Sequence, residues 1–258
     1  MHHPRVLVLR AAGINCDRET AFAFEQAGAQ TETLHINDLM AHPARLRDFG
    51  LVVVPGGFSY GDDVHAGRVL AIEIAQSLGD SFLAFRDRGG LLLGICNGFQ
   101  VLVKTGLLPG KDEAGASITA TLTWNDSHRY EDRWVHLQSP PNRCVMVPKD
   151  LPIIQLPVAH GEGRFTTPSL RELESLRSRS QIVFQYVNRD GSEPLYPENP
   201  NGSIGHVAGI CDGTGQVLGL MPHPERALFF WHHPDWSRRP RIEGDGAAIF
   251  RAAVSAMK

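Results

Sequence analysis

Three short stretches of this chain carry residue types that do covalent chemistry. The first is Gly94-Ile95-Cys96-Asn97-Gly98-Phe99-Gln100, led in by the apolar run Leu91 to Ile95 and followed by a helix-like segment, Phe99 to Thr105. Strand, sharp turn and helix with a thiol at the apex is the geometry that exposes the serine of a G-x-S-x-G elbow above an α/β sheet. Small flanking residues fit this reading, because the nucleophile of such a turn sits on strained backbone. The helix start adds free N–H groups and a positive dipole end, both of which favour a thiolate. The alternative for Cys96 is a small buried hydrophobe at a strand end. A nucleophile needs a base, so the rest of the chain decides between the two.

The base candidate lies in Met221-Pro222-His223-Pro224-Glu225-Arg226. Two prolines keep His223 out of a regular ladder. In an extended chain residues two apart project to one side, so Glu225 can fix the tautomer of His223. Alone, an H-x-E is weak. Beside a cysteine elbow it completes nucleophile, base and orienter. The third stretch is Pro55-Gly56-Gly57-Phe58-Ser59-Tyr60-Gly61-Asp62-Asp63. It is either a tight turn or an oxyanion donor, with the Gly57 N–H joining that of Asn97. His160, in His160-Gly161-Glu162-Gly163-Arg164-Phe165, either lines a pocket or is a hydrogen-bonded structural histidine. His232 and His233 lack the acidic or thiol neighbours of a metal site, and no metal is expected.

These residues must be held by a sheet. Arg5 to Leu9, Gln30 to Ile36 and Leu51 to Val54 read as strands, alternating with helices that start at Asp17, as a cap, and at Asp38. The rhythm predicts a doubly wound, mostly parallel α/β sheet flanked by helices. Val64 to Arg88 reads as helix broken near Gly79. From Ile118 the pattern changes to short antiparallel strands: Ile118 to Trp124, Trp134 to Leu137, Arg143 to Val147 and Ile153 to Ala159. These extend the sheet in the C-terminal half, within one domain over residues 1–258. Asn125 to Trp134 reads as a solvated charged loop or a docking surface. Ile204 to Cys211 and Val217 to Leu220 form a hairpin, and Gly244 to Met257 closes the chain as a helix.

The totals exclude several classes. A net charge of -3 gives no reason to expect nucleic acid or an anionic membrane as partner. No apolar run approaches the roughly 20 residues of a membrane helix. The four cysteines are scattered, which suits a reducing cytoplasm rather than a disulfide scaffold. Neither glycine fingerprint of a nucleotide-binding module is present, neither G-x-G-x-x-G nor the P-loop.

Taken together, Asn15-Cys16-Asp17, PGGFSYGD (Pro55 to Asp62), GICNGFQ (Gly94 to Gln100), Asn125 to Trp134, HGEGRF (His160 to Phe165) and MPHPER (Met221 to Arg226) resemble the class I glutamine amidotransferases. The elbow marks only the wider class. PGGFSYGD with MPHPER is similar to the glutaminase subunits of phosphoribosylformylglycinamidine synthases, which act in purine biosynthesis. The resemblance implies Cys96 as nucleophile, His223 as base and Glu225 as its orienter. It implies backbone oxyanion donors at Gly57 and Asn97, with Gln100 and His160 near the glutamine substrate. It implies no cofactor in this chain. ATP and Mg are expected on a large synthetase subunit that receives the ammonia, and a small third subunit is a further expected partner. The docking surface is expected to include Asn125 to Trp134 and the aromatic and arginine-rich Phe229 to Arg241. The rival readings are a stand-alone cysteine γ-glutamyl hydrolase, against which the PGGFSYGD and MPHPER pair argues, and a catalytically silent assembly subunit, which would predict a broken triad.

Overall fold

The computed structural model describes residues 4–111, 115, 119–238 and 243–257. Its frame is a nine-stranded sheet built from two unlike halves. The first half is parallel. β1 (Arg5–Arg10) is followed by α1 (Asp17–Gln26), β2 (Gln30–His35), α2 (Ile36–Ala41) and β3 (Leu51–Val54). α3 (Arg68–Ser77) and α4 (Gly79–Asp87) then lead to β4 (Leu91–Ile95) and α5 (Asn97–Lys104). The sequences of β3 and β4, LVVV and LLLGI, are buried at every position. That is the signature of a strand covered on both faces, and each large side chain so buried contributes roughly 1.5–3 kcal/mol.

The strand order β2-β1-β3-β4 reverses direction between β1 and β3. Right-handed crossovers therefore send α1 to one face and α3 and α4 to the other. α7 (Ala247–Ala256) joins α1, with Phe24 edge-on to Phe250 at 5.0 Å between ring centroids.

The second half is antiparallel. β5 (Thr121–Thr123), β6 (Glu131–Gln138), β7 (Ile154–His160), β8 (Arg164–Thr166) and α6 (Leu170–Ser178) precede β9 (Ile182–Val187), β10 (Val207–Cys211) and β11 (Val217–Leu220). β5 and β8 pair only with each other. The rest continue the main sheet as β4-β11-β10-β9-β6-β7. β11 is the seam: it runs parallel to β4, with Val217 opposite Leu92 and Leu220 opposite Ile95, and antiparallel to β10. Asp212 fixes the β10–β11 turn by accepting from the Thr214 hydroxyl and the Gln216 and Val217 N–H groups.

Four local readings change. Asp17 does not cap α1. It is the first helical residue, the cap position falls on Cys16, and the Asp17 carboxylate pairs with Arg10 instead. The mostly helical stretch expected over Asp38 to Phe49 forms two pieces, α2 ending at Ala41 and a 3-10 helix over Pro43–Asp48, because Pro43 interrupts the α-helical bonding. Arg143 to Val147 is not a strand. The Asn142 side chain folds the chain there by accepting from the Cys144 N–H, while the Arg143 and Val145 N–H groups bond to the Ser180 and Gly215 carbonyls. The strand expected over Ile118 to Trp124 is seen only as Thr121–Thr123, and Ile118 lies outside the described residues.

Candidate active site

The loops after β1, β3, β4 and β11 all leave from the carboxyl ends of parallel strands and converge beside the switch point, where open α/β sheets bind ligands. Cys96 takes φ 52° and ψ −106° between β4 and α5. A β-carbon at Gly98 would lie 1.8 Å from the Val54 carbonyl oxygen, and one at Gly94 would lie 2.6 Å from that of Gly98. Strand and helix thus approach too closely for any side chain at either position. The Cys96 N–H donates to Leu220 O at 2.8 Å, which ties the elbow to the seam. Its sulfur lies 3.7 Å from Ala159 O, on β7.

His223 and Glu225 come together as the sequence suggests, by a different route. Pro224–Arg226 is a 3-10 turn, not an extended segment. The His223 Nδ1–H donates to Glu225 Oε1 at 2.5 Å, and both residues are 2 % exposed. Among the described residues, none gives the buried His223 Nε2 a partner within hydrogen-bonding geometry. Burial opposes a charge on His223, but the Glu225 carboxylate, aided by the neighbouring Cys96 and Cys16, outweighs it and holds the imidazole well above its ordinary value. The His223 N–H donates to Pro157 O at 2.8 Å. Pro157 is on an edge strand, the place in a sheet where a proline is tolerated.

The glycine loop is pinned to the loop after β1. Phe58 N–H donates to Gly13 O, and Cys16 N–H donates to Gly56 O. Gly57, at φ 143°, lies between these anchors, and a β-carbon there would meet the Asn15 backbone nitrogen at 2.7 Å. The side chain of Asn97 ties this loop to the elbow: it accepts from the Ser59 N–H and donates to Asp62 and to Gln100.

Gln100 is buried, and both ends of its amide are engaged. Nε2 donates to Glu162 O at 2.6 Å, and Oε1 accepts from Asn97. It therefore joins HGEGRF to the elbow helix. His160 is also buried. Its Nδ1–H donates to Asn125 Oδ1 at 3.1 Å, and burial, with the nearby His223, pushes its pKa down to about 3. Both residues direct their polar atoms to protein partners around Cys96 and the His223–Glu225 pair.

The sequence reading missed Asn125, Asp62 and Glu162. Asn125 is fully buried. Its amide serves the His160 ring, the Gly163 N–H and the carbonyls of Arg129 and His160. Asp62 accepts from Gly67 N–H and Asn97, and Glu162 accepts from Ala66 N–H. The only signal was their place inside the motifs. Tyr130 and Phe58, both substantially exposed, stack with centroids 6.3 Å apart, and Cys96 lies within electrostatic reach of the phenol. Cys16, His223 and Glu225 offer ligand atoms within 4.8 Å of one another. Distance alone would admit a metal there, but the Arg226 guanidinium, 3.1 Å from the same sulfur, already supplies the positive charge.

Residues 3–255 match the CobB/CobQ-like glutamine amidotransferase domain. A phosphoribosylformylglycinamidine synthase subunit PurQ from Dehalococcoides mccartyi is 46% identical over 256 residues, covering 98% of each chain. A subunit of the same name from Methanococcus maripaludis is 46% identical over 243 residues, covering 93% of this chain and 89% of its own. A chain of the PurLQS structure from Thermotoga maritima superposes with a TM-score of 0.75 at 30% identity, covering 100% of both chains. This chain belongs to the glutamine amidotransferase family and, within it, to the PurQ subunits of phosphoribosylformylglycinamidine synthase.

Proposed function

We propose that the chain, acting as one amidotransferase domain, takes ammonia from glutamine through a Cys96 thioester and delivers it to a synthetase partner that makes formylglycinamidine ribonucleotide from formylglycinamide ribonucleotide. The observation that supports it most is the buried His223–Glu225 pair, whose free Nε2 sits beside a cysteine at the tip of the β4–α5 elbow.

The steps follow from these positions. Cys96 passes its proton to His223, and the sulfur attacks the side-chain carboxamide carbon of glutamine. The carbonyl oxygen becomes an oxyanion, held by the Gly57 and Asn97 N–H groups. His223 returns the proton to the amide nitrogen, the C–N bond breaks, ammonia leaves and a γ-glutamyl thioester remains. His223 then takes a proton from water, the hydroxide displaces the sulfur, and glutamate departs as the thiol is restored.

ATP and Mg belong to the synthetase partner in this scheme, and a third small subunit completes the assembly. The similarity to a chain of the PurLQS structure from Thermotoga maritima supports such an assembly. Docking over Asn125 to Trp134 and Phe229 to Arg241 is supported by exposed Tyr130, Trp231 and Trp236, although Arg239 and Arg241 lie outside the described residues. The four cysteines are free and buried, which supports placement in the reducing cytoplasm. Among the described residues no helix is long and apolar enough to cross a membrane.

The test is glutamate release from glutamine by the purified chain, alone and with the synthetase, beside a Cys96→Ser control. Stimulation by the synthetase, abolished in the control, supports the reading. Equal activity without a partner would favour a stand-alone hydrolase.

A further inference from the structure

The Asn15-Cys16-Asp17 stretch and Arg226 carry side chains that the reaction above leaves unused. We propose that Cys16 and Arg226 are positioning residues of this glutaminase: the guanidinium, anchored on Glu19 and on the Cys16 sulfur, backs the His223–Glu225 pair and sets how firmly the imidazole keeps its proton. The inference rests on the reading of His223 and Glu225 as base and orienter.

Arg226 Nε–H donates to Glu19 Oε1 at 2.8 Å, and its Nη2 donates to Cys16 Sγ at 3.1 Å. Cys16 is 1 % exposed, and its sulfur lies within 4.8 Å of the ligand atoms of both His223 and Glu225. A β-carbon at Gly56 would meet His223 Cε1 at 2.7 Å and Cys16 Sγ at 3.2 Å. The glycine loop, the thiol and the imidazole edge therefore close on one point. With His223 protonated and Cys96 ionised, the charges alternate from Cys96 through His223, Glu225 and Arg226 to Glu19.

The thiol suits its place. Burial pushes Cys16 up, so it stays neutral beside Glu225. A carboxylate at this point would compete for the imidazolium, whereas a soft sulfur accepts the guanidinium N–H without adding a charge. The groups that face His223 are Glu225, Cys96 and Cys16, with His160 and Tyr130 in electrostatic reach and Arg226 beyond the sulfur. Of these, Arg226 is the one permanent cation. Its removal leaves the Glu225 charge less balanced, so the imidazolium persists to higher pH. Ammonia departure needs imidazolium, whereas thioester hydrolysis needs neutral imidazole. The guanidinium therefore keeps one residue serviceable for both steps.

The experiment is histidine side-chain NMR titration of the full chain, with the His223 signal assigned through His223→Gln. Arg226→Gln is expected to raise the His223 midpoint by about 0.5–1 pH unit, Arg226→Lys to leave it near wild type, and Cys16→Ala, which removes a group that helps hold the proton on the imidazole, to lower it. The basic limb of kcat/KM for glutamate release in the presence of the synthetase should move the same way in Arg226→Gln. An unmoved midpoint in folded Arg226→Gln, or an equal shift in Arg226→Lys, would overturn the proposal. So would a pH-independent loss of rate, which would make the role structural. Full activity in His223→Gln and Cys96→Ser would instead overturn the glutaminase reading beneath it.

Discussion

The proposed nucleophile, Cys96, and its proposed base, His223, come from opposite halves of the sheet, and the halves hold them by different physics. Cys96 stands on the parallel half and is held by covalent geometry: a positive φ, two glycines with no room for a side chain, and strands buried on both faces. His223 stands where the antiparallel half begins and is held by charge: a 2.5 Å bond to Glu225, with an arginine behind it. Strain places an atom in space but leaves its protonation open. A charge pair governs protonation and tolerates small displacements. A thioester mechanism needs the first at the attacking atom and the second at the proton carrier.

The contrast breaks most completely at Gly98. Gly98→Ala puts a methyl 1.8 Å from the Val54 carbonyl oxygen. The expected result is loss of the cooperative thermal transition, read by circular dichroism, and of all activity with it. Cys96→Ala should keep the fold and cost on the order of 10⁴-fold or more in kcat. Intact thermal unfolding with no glutamate release would separate chemistry from scaffold. Glu225→Gln removes the charge that favours imidazolium, and a loss of about 10³–10⁴-fold in kcat is expected. A loss under tenfold would show that strain alone positions the base. Gly57→Ala meets the Asn15 backbone nitrogen at 2.7 Å. Shifting that donor should cost about 10²–10³-fold in kcat, with a smaller change in KM.

The smallest effect concerns two histidines pulled in opposite directions. His160, at about 3, stays neutral in the fold, whereas in the unfolded chain it titrates near 6.5. As pH falls below 6.5 the unfolded chain gains a proton that the folded chain refuses, so stability is lost between pH 6.5 and 3 at up to about 1.4 kcal/mol per pH unit. His223 is held above its ordinary value, so its proton adds stability at low pH that is lost as pH rises through its folded value. Melting curves from pH 7 to 4 should show a shallower decline in His160→Gln than in wild type. An identical slope would mean that His160 does not carry the effect.

The elbow at Cys96 and the pairing of His223 with Glu225 were legible because their determinants are local. The elbow is written in Gly94, Cys96 and Gly98, and the orienter lies two residues from the base. The parallel half was legible for the same reason, since unbroken apolar runs such as Leu51 to Val54 have few other fates. The illegible parts depend on partners far along the chain. Asn125 looked like the start of a solvated loop because its neighbours are charged, yet its amide is spent on residues 160 to 163. Arg143 to Val147 has the apolar content of a strand, but the Asn142 turn and bonds to two distant loops decide its path. Nothing in the composition of β7 says that it returns to Cys96 and His223. That contact rests on the carbonyls of Pro157 and Ala159.

The seam at β11 sets a timetable for the newborn chain. When β4 has been made, β3 is already available to pair with one of its edges, while the partner of the other edge is not. The strand that fills the open edge begins only at Val217, more than a hundred residues later. At synthesis rates of about 5–20 residues per second, that edge waits roughly 6–25 seconds. During this interval Cys96 can exist, but His223 has not yet been made. On the proposed roles glutamine is not turned over before His223 is made, and of the strand edges that later pair, the one that waits longest lies next to Cys96.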